Sequence, residues 1–258
     1  MVIAHVLVGA LLTYQLVSAG LGIRFADRFR RGLVAGPRSR IRFYVHGIVL
    51  SWATAAVAYV VVLASPGLSP ADLGWRWPRG DGLDWLATAA FLIMVAIGGL
   101  RVRWTHAGGT PASRAVTAAY LLPRTAGERW VAVLVALTAG VNEEYLYRGL
   151  LTAAGTRLYG LPLSVSALVV LVLFVAAHTY QGWRALPGIL VLGCVFTGLF
   201  LISGSLLLPV IAHVVVDLVG LLVVPAVPRP REQAPDPEPA RPEPDPRPGV
   251  RLRPAAPN

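Results

Sequence analysis

Two adjacent glutamates and an arginine lie inside an apolar stretch of the chain. Glu143 and Glu144 are followed by Arg148, with apolar residues on both sides. Ionisable side chains in such a setting are costly unless they are paired, hydrated or used in function. Glu144 and Arg148 are four residues apart and can form an ion pair on one helix face. Glu143 is rotated by about 100°, so it can act as a general base, although all three can also form one structural cluster.

Two histidines extend this constellation. His178 and His213 both lie in apolar runs, and Asp217 follows His213 by four residues. On a helix, His213 and Asp217 face the same way, so the carboxylate can fix the imidazole tautomer while the ring binds a metal or orients a water. Acidic and basic residues in neighbouring apolar segments favour a chemical role for both histidines. A histidine in an apolar run is more often a packing residue, and we give His5 and His46 this interpretation.

The composition indicates which elements must position these side chains. The chain is 55% hydrophobic and 14% charged, whereas a soluble domain carries about a quarter charged residues. A membrane-spanning helix needs roughly 20 apolar residues, and the apolar runs here do not alternate as barrel strands do. The sequence therefore predicts an all-α, polytopic integral membrane bundle of about seven transmembrane helices. The predicted spans are residues 2–23, 43–64, 83–100, 130–154, 161–178, 186–202 and 206–224.

The charge distribution predicts an orientation in the cell membrane. All of the positive charge comes from arginine, and arginines collect in 24–42, in 101–124 and in the tail from Arg229. By the positive-inside rule these regions face the cytoplasm, which places the N-terminus outside and the C-terminal tail inside. The first segment lacks a basic region before it, so we do not expect a cleavable signal peptide. No recognition motif accompanies the net charge of +10, so nucleic acid is not an expected partner.

The chain divides into three predicted parts. Residues 1–125 form N-terminal transmembrane helices and basic loops, and residues 126–224 form the core that carries the motifs. From Pro225 to Asn258 the sequence is rich in proline and charge, which is typical of a disordered tail. Cys194 is the only cysteine, so an intrachain disulfide and a cysteine-based metal site are both excluded.

Three motifs in this order resemble the signature of a known family. They are Glu143-Glu144-x-x-x-Arg148, Phe174-x-x-x-His178 and His213-x-x-x-Asp217. This pattern is similar to that of the CAAX protease and bacteriocin-processing (CPBP) intramembrane proteases, also called the type II CAAX prenyl endopeptidase or Abi family. Phe196 and Gly198 fit the aromatic-plus-small pattern expected between the second and third motifs. The resemblance covers residues 130–224.

The resemblance implies a protease with a defined site. Glu143 would activate a water, Glu144 and Arg148 would support it, and His178, His213 and Asp217 would complete the site. A divalent metal, expected to be Zn²⁺, would be held by Glu143, His178, His213 and Asp217 with an open position for water. Alternatively, Glu143 and His178 activate water directly while His213 stabilises the oxyanion. Asp217 stands where the family often has Asn, which disfavours an amide donor at that position.

The expected activity is hydrolysis of a peptide bond in a membrane-associated or prenylated protein or peptide. The site is expected in a polar cavity enclosed by the fourth to seventh helices, with membrane lipid and a protein or peptide substrate as partners. The predicted spans leave a difficulty, because Glu143 and His213 fall at similar depths while His178 lies nearer the cytoplasmic end. A common site requires the fifth helix to begin later, tilt strongly or follow a re-entrant turn.

Two other function classes fit the same residues. Polar groups at mid-membrane also line proton-coupled transporters. The chain can alternatively be a catalytically silent membrane scaffold or bacteriocin-immunity factor that keeps the fold.

Overall fold

The computed structural model describes residues 2–34, 37–79, 82–107 and 122–223, and within this part the chain is helical without strands. The described part contains eight α-helices. The α-helices are α1 Val2–Val34, α2 Pro37–Leu63, α3 Leu83–Ala107, α4 Ala126–Glu144, α5 Thr152–Arg157, α6 Leu163–Ala177, α7 Leu186–Ser203 and α8 Leu207–Leu218. A π-helical segment, Tyr145–Leu151, makes α4 and α5 continuous. A 3₁₀ segment lies between α6 and α7, and a second π-helical segment follows α8. The predicted tail lies outside the described residues.

Five helices of the described part are long and apolar enough to cross a membrane. They correspond to the predicted spans 2–23, 43–64, 83–100, 161–178 and 186–202. The predicted count of about seven spans is not confirmed by the described residues. The fourth predicted span carries Glu143, Glu144 and Arg148, and the last one forms a shorter apolar helix, Leu207–Val223. The all-helical membrane fold is confirmed.

The arginine-rich stretch 24–42 was expected to be a loop, and this expectation is wrong. Helix α1 continues to Val34, and α2 already begins at Pro37. Arginine is a good helix former, so a helix that leaves the apolar region has no local reason to end at the first arginine.

Helix α4 begins at a capping box that also fastens it to α2. The Thr125 hydroxyl accepts a hydrogen bond from the Glu128 amide, and the Glu128 carboxylate accepts one from the Thr125 amide. This reciprocal pair satisfies two amides at the helix start. The other oxygen of the buried Glu128 accepts a hydrogen bond from Arg40 Nε of α2 at 3.0 Å. Further along, Asn142 Nδ2 donates to Ser51 Oγ, so α2 and α4 run side by side in the same direction.

The α5–α6 hairpin brings Glu143 and His178 to the same height. Glu143 lies 14 residues before Arg157, where α5 ends, and His178 lies 15 residues after Leu163, where α6 begins. At about 1.5 Å per residue, the two residues are equally far from the turn. The fourth predicted span ended three residues before α5 ends, and the fifth predicted span began two residues before α6 begins. These two errors produced the apparent mismatch in depth.

Close helix contacts bring α8 against α4. Gly140 faces α8, and a Cβ at this position would overlap Val214 Cγ2 and crowd the Val214 amide. The absence of a side chain therefore lets the backbone of α8 approach α4 closely. Because His213 precedes Val214, this contact sets how deeply His213 reaches towards the end of α4.

The loop between α2 and α3 folds over one end of the bundle. Arg76 Nε donates to the Gly204 carbonyl at the α7–α8 turn, and Asp72 pairs with Arg157 at the end of α5. The Ser69 hydroxyl and amide donate to Asp72 Oδ2. These bonds, the Ser69 hydroxyl first, and the Arg157 guanidinium hold the pKa of Asp72 below its usual value. The loop therefore fixes the α5 end and the α7–α8 turn.

Candidate active site

A buried ion pair lies at the end of α4. Arg148 Nη1 is 2.9 Å from Glu144 Oε1, and neither side chain is more than 2% exposed. The pairing predicted from the four-residue spacing is therefore present. His213 Nδ1 lies 2.7 Å from the same oxygen. Because a carboxylate oxygen accepts, Glu144 receives hydrogen bonds from both residues, and this joins α8 to the end of α4.

Arg148 is enclosed by aromatic rings and carbonyl groups. Its guanidinium carbon lies 4.3 Å from the centroid of the Phe174 ring and 5.6 Å from that of Phe196. Nη2 donates to the Gly193 carbonyl of α7. The segment that carries Arg148 is π-helical, a rare local geometry often found at functional sites. Arg148 thus contacts α4, α6 and α7 at once and orders the carboxylate beside it.

Glu143 and His178 form a second, more accessible pair. His178 Nδ1 is 2.7 Å from the Phe174 carbonyl, which can only accept, so Nδ1 carries the proton. In the neutral ring Nε2 then presents its lone pair, and it lies 3.5 Å from Glu143 Oε2. Within the described part of the chain, that oxygen has no hydrogen-bond donor. Two acceptors therefore face each other, an arrangement that can receive both hydrogens of one water molecule.

A cavity of about 530 Å³ opens onto this pair. Glu143 and His178 line it together with Asn142 and Tyr147. The opposite wall comes from α1 and α2. It contains Tyr14, Gln15, Ser18, His46, Ser51 and Thr54. Its size is typical of sites for small ligands or short peptide segments.

The cavity at this pair is not enclosed by the fourth to seventh helices as predicted. The described lining contains no residue of α7 or α8, whereas α1 and α2 supply much of the wall. His46, which we interpreted as a packing residue, also lines the cavity. A sequence signal for this wall exists, because the polar residues of α1 and α2 recur at helical spacing within otherwise apolar spans. Polar side chains in such spans tend to face a cavity or the bundle interior.

His213 and Asp217 lie apart from this cavity wall. His213 Nε2 is 3.8 Å from Asp217 Oδ2, and Nδ1 is engaged by Glu144. The predicted metal ligands thus form two separate pairs, Glu143 with His178 and His213 with Asp217. Across the described residues, no three His, Cys, Asp or Glu side chains converge as metal ligands do. The arrangement of side chains does not fit the predicted zinc site, and we derive no step through a metal.

Comparison with known proteins identifies the region that carries the site. The chain is 27% identical to an uncharacterized 24.3 kDa protein of Escherichia coli over 216 residues, which is 82% of this chain and 95% of the relative. No solved structure matches. With its several apolar helices and a match to a family of membrane endopeptidases, the chain is an integral membrane protein. Residues 125–219 match the family of type II CAAX prenyl endopeptidases described as Rce1-like, which confirms the resemblance that the three motifs predict.

Proposed function

We propose that the protein is an intramembrane endopeptidase that hydrolyses a peptide bond with a water activated by Glu143 and His178. The observation that carries this proposal is the pair itself, with Glu143 Oε2 3.5 Å from His178 Nε2 at the wall of a large cavity. The match to a prenyl endopeptidase family supports the reaction class. Glu144, Arg148 and His213 hold the pair in place through α4.

The reaction follows from the two facing acceptors. A water bound between Glu143 and His178 loses one proton to Glu143, and its oxygen bonds to the carbonyl carbon of the substrate. The carbonyl electrons move to oxygen and give a tetrahedral oxyanion. Glu143 then returns the proton to the leaving nitrogen as the C–N bond breaks. Glu143 therefore serves first as a base and then as an acid.

Metal dependence stays a prediction from the resemblance. The residues predicted to hold Zn²⁺ are Glu143, His178, His213 and Asp217, and they form two separate pairs in this arrangement of side chains. The direct mechanism needs only Glu143 and His178, which already face each other at 3.5 Å. We therefore favour direct activation of water.

The substrate class that we propose is a membrane-associated or prenylated protein or peptide. The cavity wall formed by α1 and α2 consists of neutral polar, aromatic and aliphatic residues together with His46. Such a wall suits an uncharged peptide segment better than a strongly acidic or basic one. We place the protein in the cell membrane, with its N-terminus outside and its C-terminal tail in the cytoplasm.

Proteolysis by the purified full-length protein tests this proposal. A panel of quenched fluorescent peptides, with and without a prenyl group, would be incubated with wild type and with Glu143→Gln and His178→Gln variants. Thr13→Ala, which removes an exposed hydroxyl of α1 outside the cavity lining, is the matched control. We expect cleavage by wild type and the control only.

A further inference from the structure

We propose that the phenolic hydroxyl of Tyr147 is the hydrogen-bond donor that stabilises the oxyanion in the reaction above. This inference rests on the proposed function and assigns a catalytic role to a position that the first motif leaves unspecified. Cleavage of an amide places negative charge on the former carbonyl oxygen, and a preorganised donor at that position is usually worth a large part of the rate.

The donors expected from the sequence do not fill this role. Asp217 is a carboxylate and accepts hydrogen bonds when it is ionised. His213 uses Nδ1 on Glu144, and its Nε2 faces Asp217 at 3.8 Å. Neither residue lines the cavity that Glu143 and His178 share. An N–H or O–H donor therefore has to come from the cavity wall itself.

Tyr147 combines a place in the cavity wall with a hydroxyl proton that it can donate. It follows Glu143 by four residues, so both project from the same side of the helix, and both line the cavity. Gln15 Nε2 of α1 donates to the Tyr147 hydroxyl oxygen at 2.7 Å. Since that oxygen accepts from Gln15, its own proton remains available to donate. No described carbonyl or carboxylate receives that proton.

The ring of Tyr147 is held rigidly. The side chain is 2% exposed, and its ring meets the Phe174 ring edge to face at 5.3 Å. Phe174 also contacts the His178 ring at 4.5 Å, so one aromatic residue positions both the donor and the water-binding histidine. Thr54, another hydroxyl of the cavity wall, already donates to the Leu50 carbonyl of its own helix. Gln15 is a positioning residue, because it acts through Tyr147.

Steady-state kinetics of Tyr147→Phe tests the assignment. The variant keeps the ring and loses only the hydroxyl, so we expect kcat to fall about 100-fold with KM changed less than about twofold. Tyr159→Phe, which removes a hydroxyl outside the cavity lining, should stay within about twofold of wild type. Gln15→Leu removes the same interhelix hydrogen bond but keeps the phenol, so we expect it to lose less than about tenfold in kcat.

These variants separate a catalytic role from a structural one. If Tyr147→Phe and Gln15→Leu lose kcat equally, the hydrogen bond between α1 and the end of α4 explains the effect, and the inference is wrong. Full kcat in Tyr147→Phe overturns it as well. If wild type and Glu143→Gln differ as proposed while Tyr147→Phe is fully active, only this inference fails.

Binding of a transition-state analogue gives a readout that does not depend on turnover. A peptidyl trifluoromethyl ketone forms a tetrahedral hydrate, whereas the matching uncleavable peptide keeps a planar carbonyl. Calorimetry in detergent should show that Tyr147→Phe weakens the ketone about 100-fold and leaves the planar peptide unchanged. Equal affinity of the ketone for both proteins would contradict the assignment, even if wild-type cleavage were not observed.

Discussion

His213 Nδ1 lies 2.7 Å from Glu144 Oε1, and the same oxygen accepts a hydrogen bond from Arg148 Nη1 at 2.9 Å. One buried carboxylate oxygen therefore ties α8 to the end of α4. The second oxygen, Glu144 Oε2, has no hydrogen-bond donor among the described residues. The negative charge of Glu144 thus faces the Arg148 guanidinium and the His213 ring. The positions of both side chains depend on this carboxylate.

Removing the charge of Glu144 should destabilise the protein strongly. Glu144→Gln leaves the Arg148 guanidinium buried without an anion, and such a change typically costs about 3–5 kcal/mol. Arg157→Gln is the matched control, because Arg157 pairs with Asp72 at a site where the arginine is 61% exposed, and exposed pairs contribute at most about 1 kcal/mol. Unfolding in detergent measures both. Equal losses in the two variants would show that Glu144 is not an anchor.

Adding one methyl group at Gly140 should separate α8 from α4. A Cβ there overlaps Val214, and forced overpacking usually costs about 1–3 kcal/mol. We expect Gly140→Ala to lose stability and cleavage together, because His213 moves away from Glu144. Gly127→Ala on the same helix meets nothing within 4 Å and should be neutral or slightly stabilising. The comparison uses thermal unfolding and peptide cleavage, and a fully active Gly140→Ala would refute the packing argument.

The contribution of Asp72 to the stability of the protein should depend on pH. Because the pKa of Asp72 is lowered from 3.8 in the folded state, its contribution to stability is complete above that value and is lost as the pH falls through the folded pKa. Asp72→Asn should therefore lower Tm relative to wild type at neutral pH, and this difference should shrink at about pH 3. Thermal unfolding across this range measures the effect. A difference that grows in acid would reverse the sign and contradict it.

Direct activation of water by Glu143 and His178 predicts little dependence on metal. We expect purified active protein to contain far less than one zinc per chain and to keep its turnover in the presence of a strong chelator. Elemental analysis and cleavage would be measured on the same sample, beside His213→Ala. Near-stoichiometric zinc that is lost in His213→Ala together with cleavage would establish instead the metal centre implied by the resemblance.

The sequence predicted the site better than it predicted the surroundings of the site. Spacing alone identified the Glu144–Arg148 pair, because residues four apart on a helix must be neighbours. It could not place His178 beside Glu143, because the relative height of two helices depends on where each ends. Errors of three residues in the end of α5 and two residues in the start of α6 were sufficient to give Glu143 and His178 different predicted depths.

The cavity wall shows a different limit of sequence reasoning. The interpretation of His46 as a packing residue relied on its position in an apolar run, yet His46 lines a cavity whose walls include residues of α1 and α4. The metal prediction treated four potential ligands as one set. In the structure they form two pairs, Glu143 with His178 and His213 with Asp217. Such pairings depend on side-chain geometry across helices, which no single segment contains.

Turnover of Glu143→Gln tests the central claim most directly. Wild type and the variant would be purified in the same detergent, shown to unfold at similar temperatures, and assayed on the same peptide panel. Glutamine has nearly the same shape but cannot take a proton from water, so we predict that cleavage falls to background while folding is retained. Unchanged turnover in a folded Glu143→Gln protein would contradict the proposed mechanism. Absence of cleavage in wild type would instead favour a scaffold or a transporter.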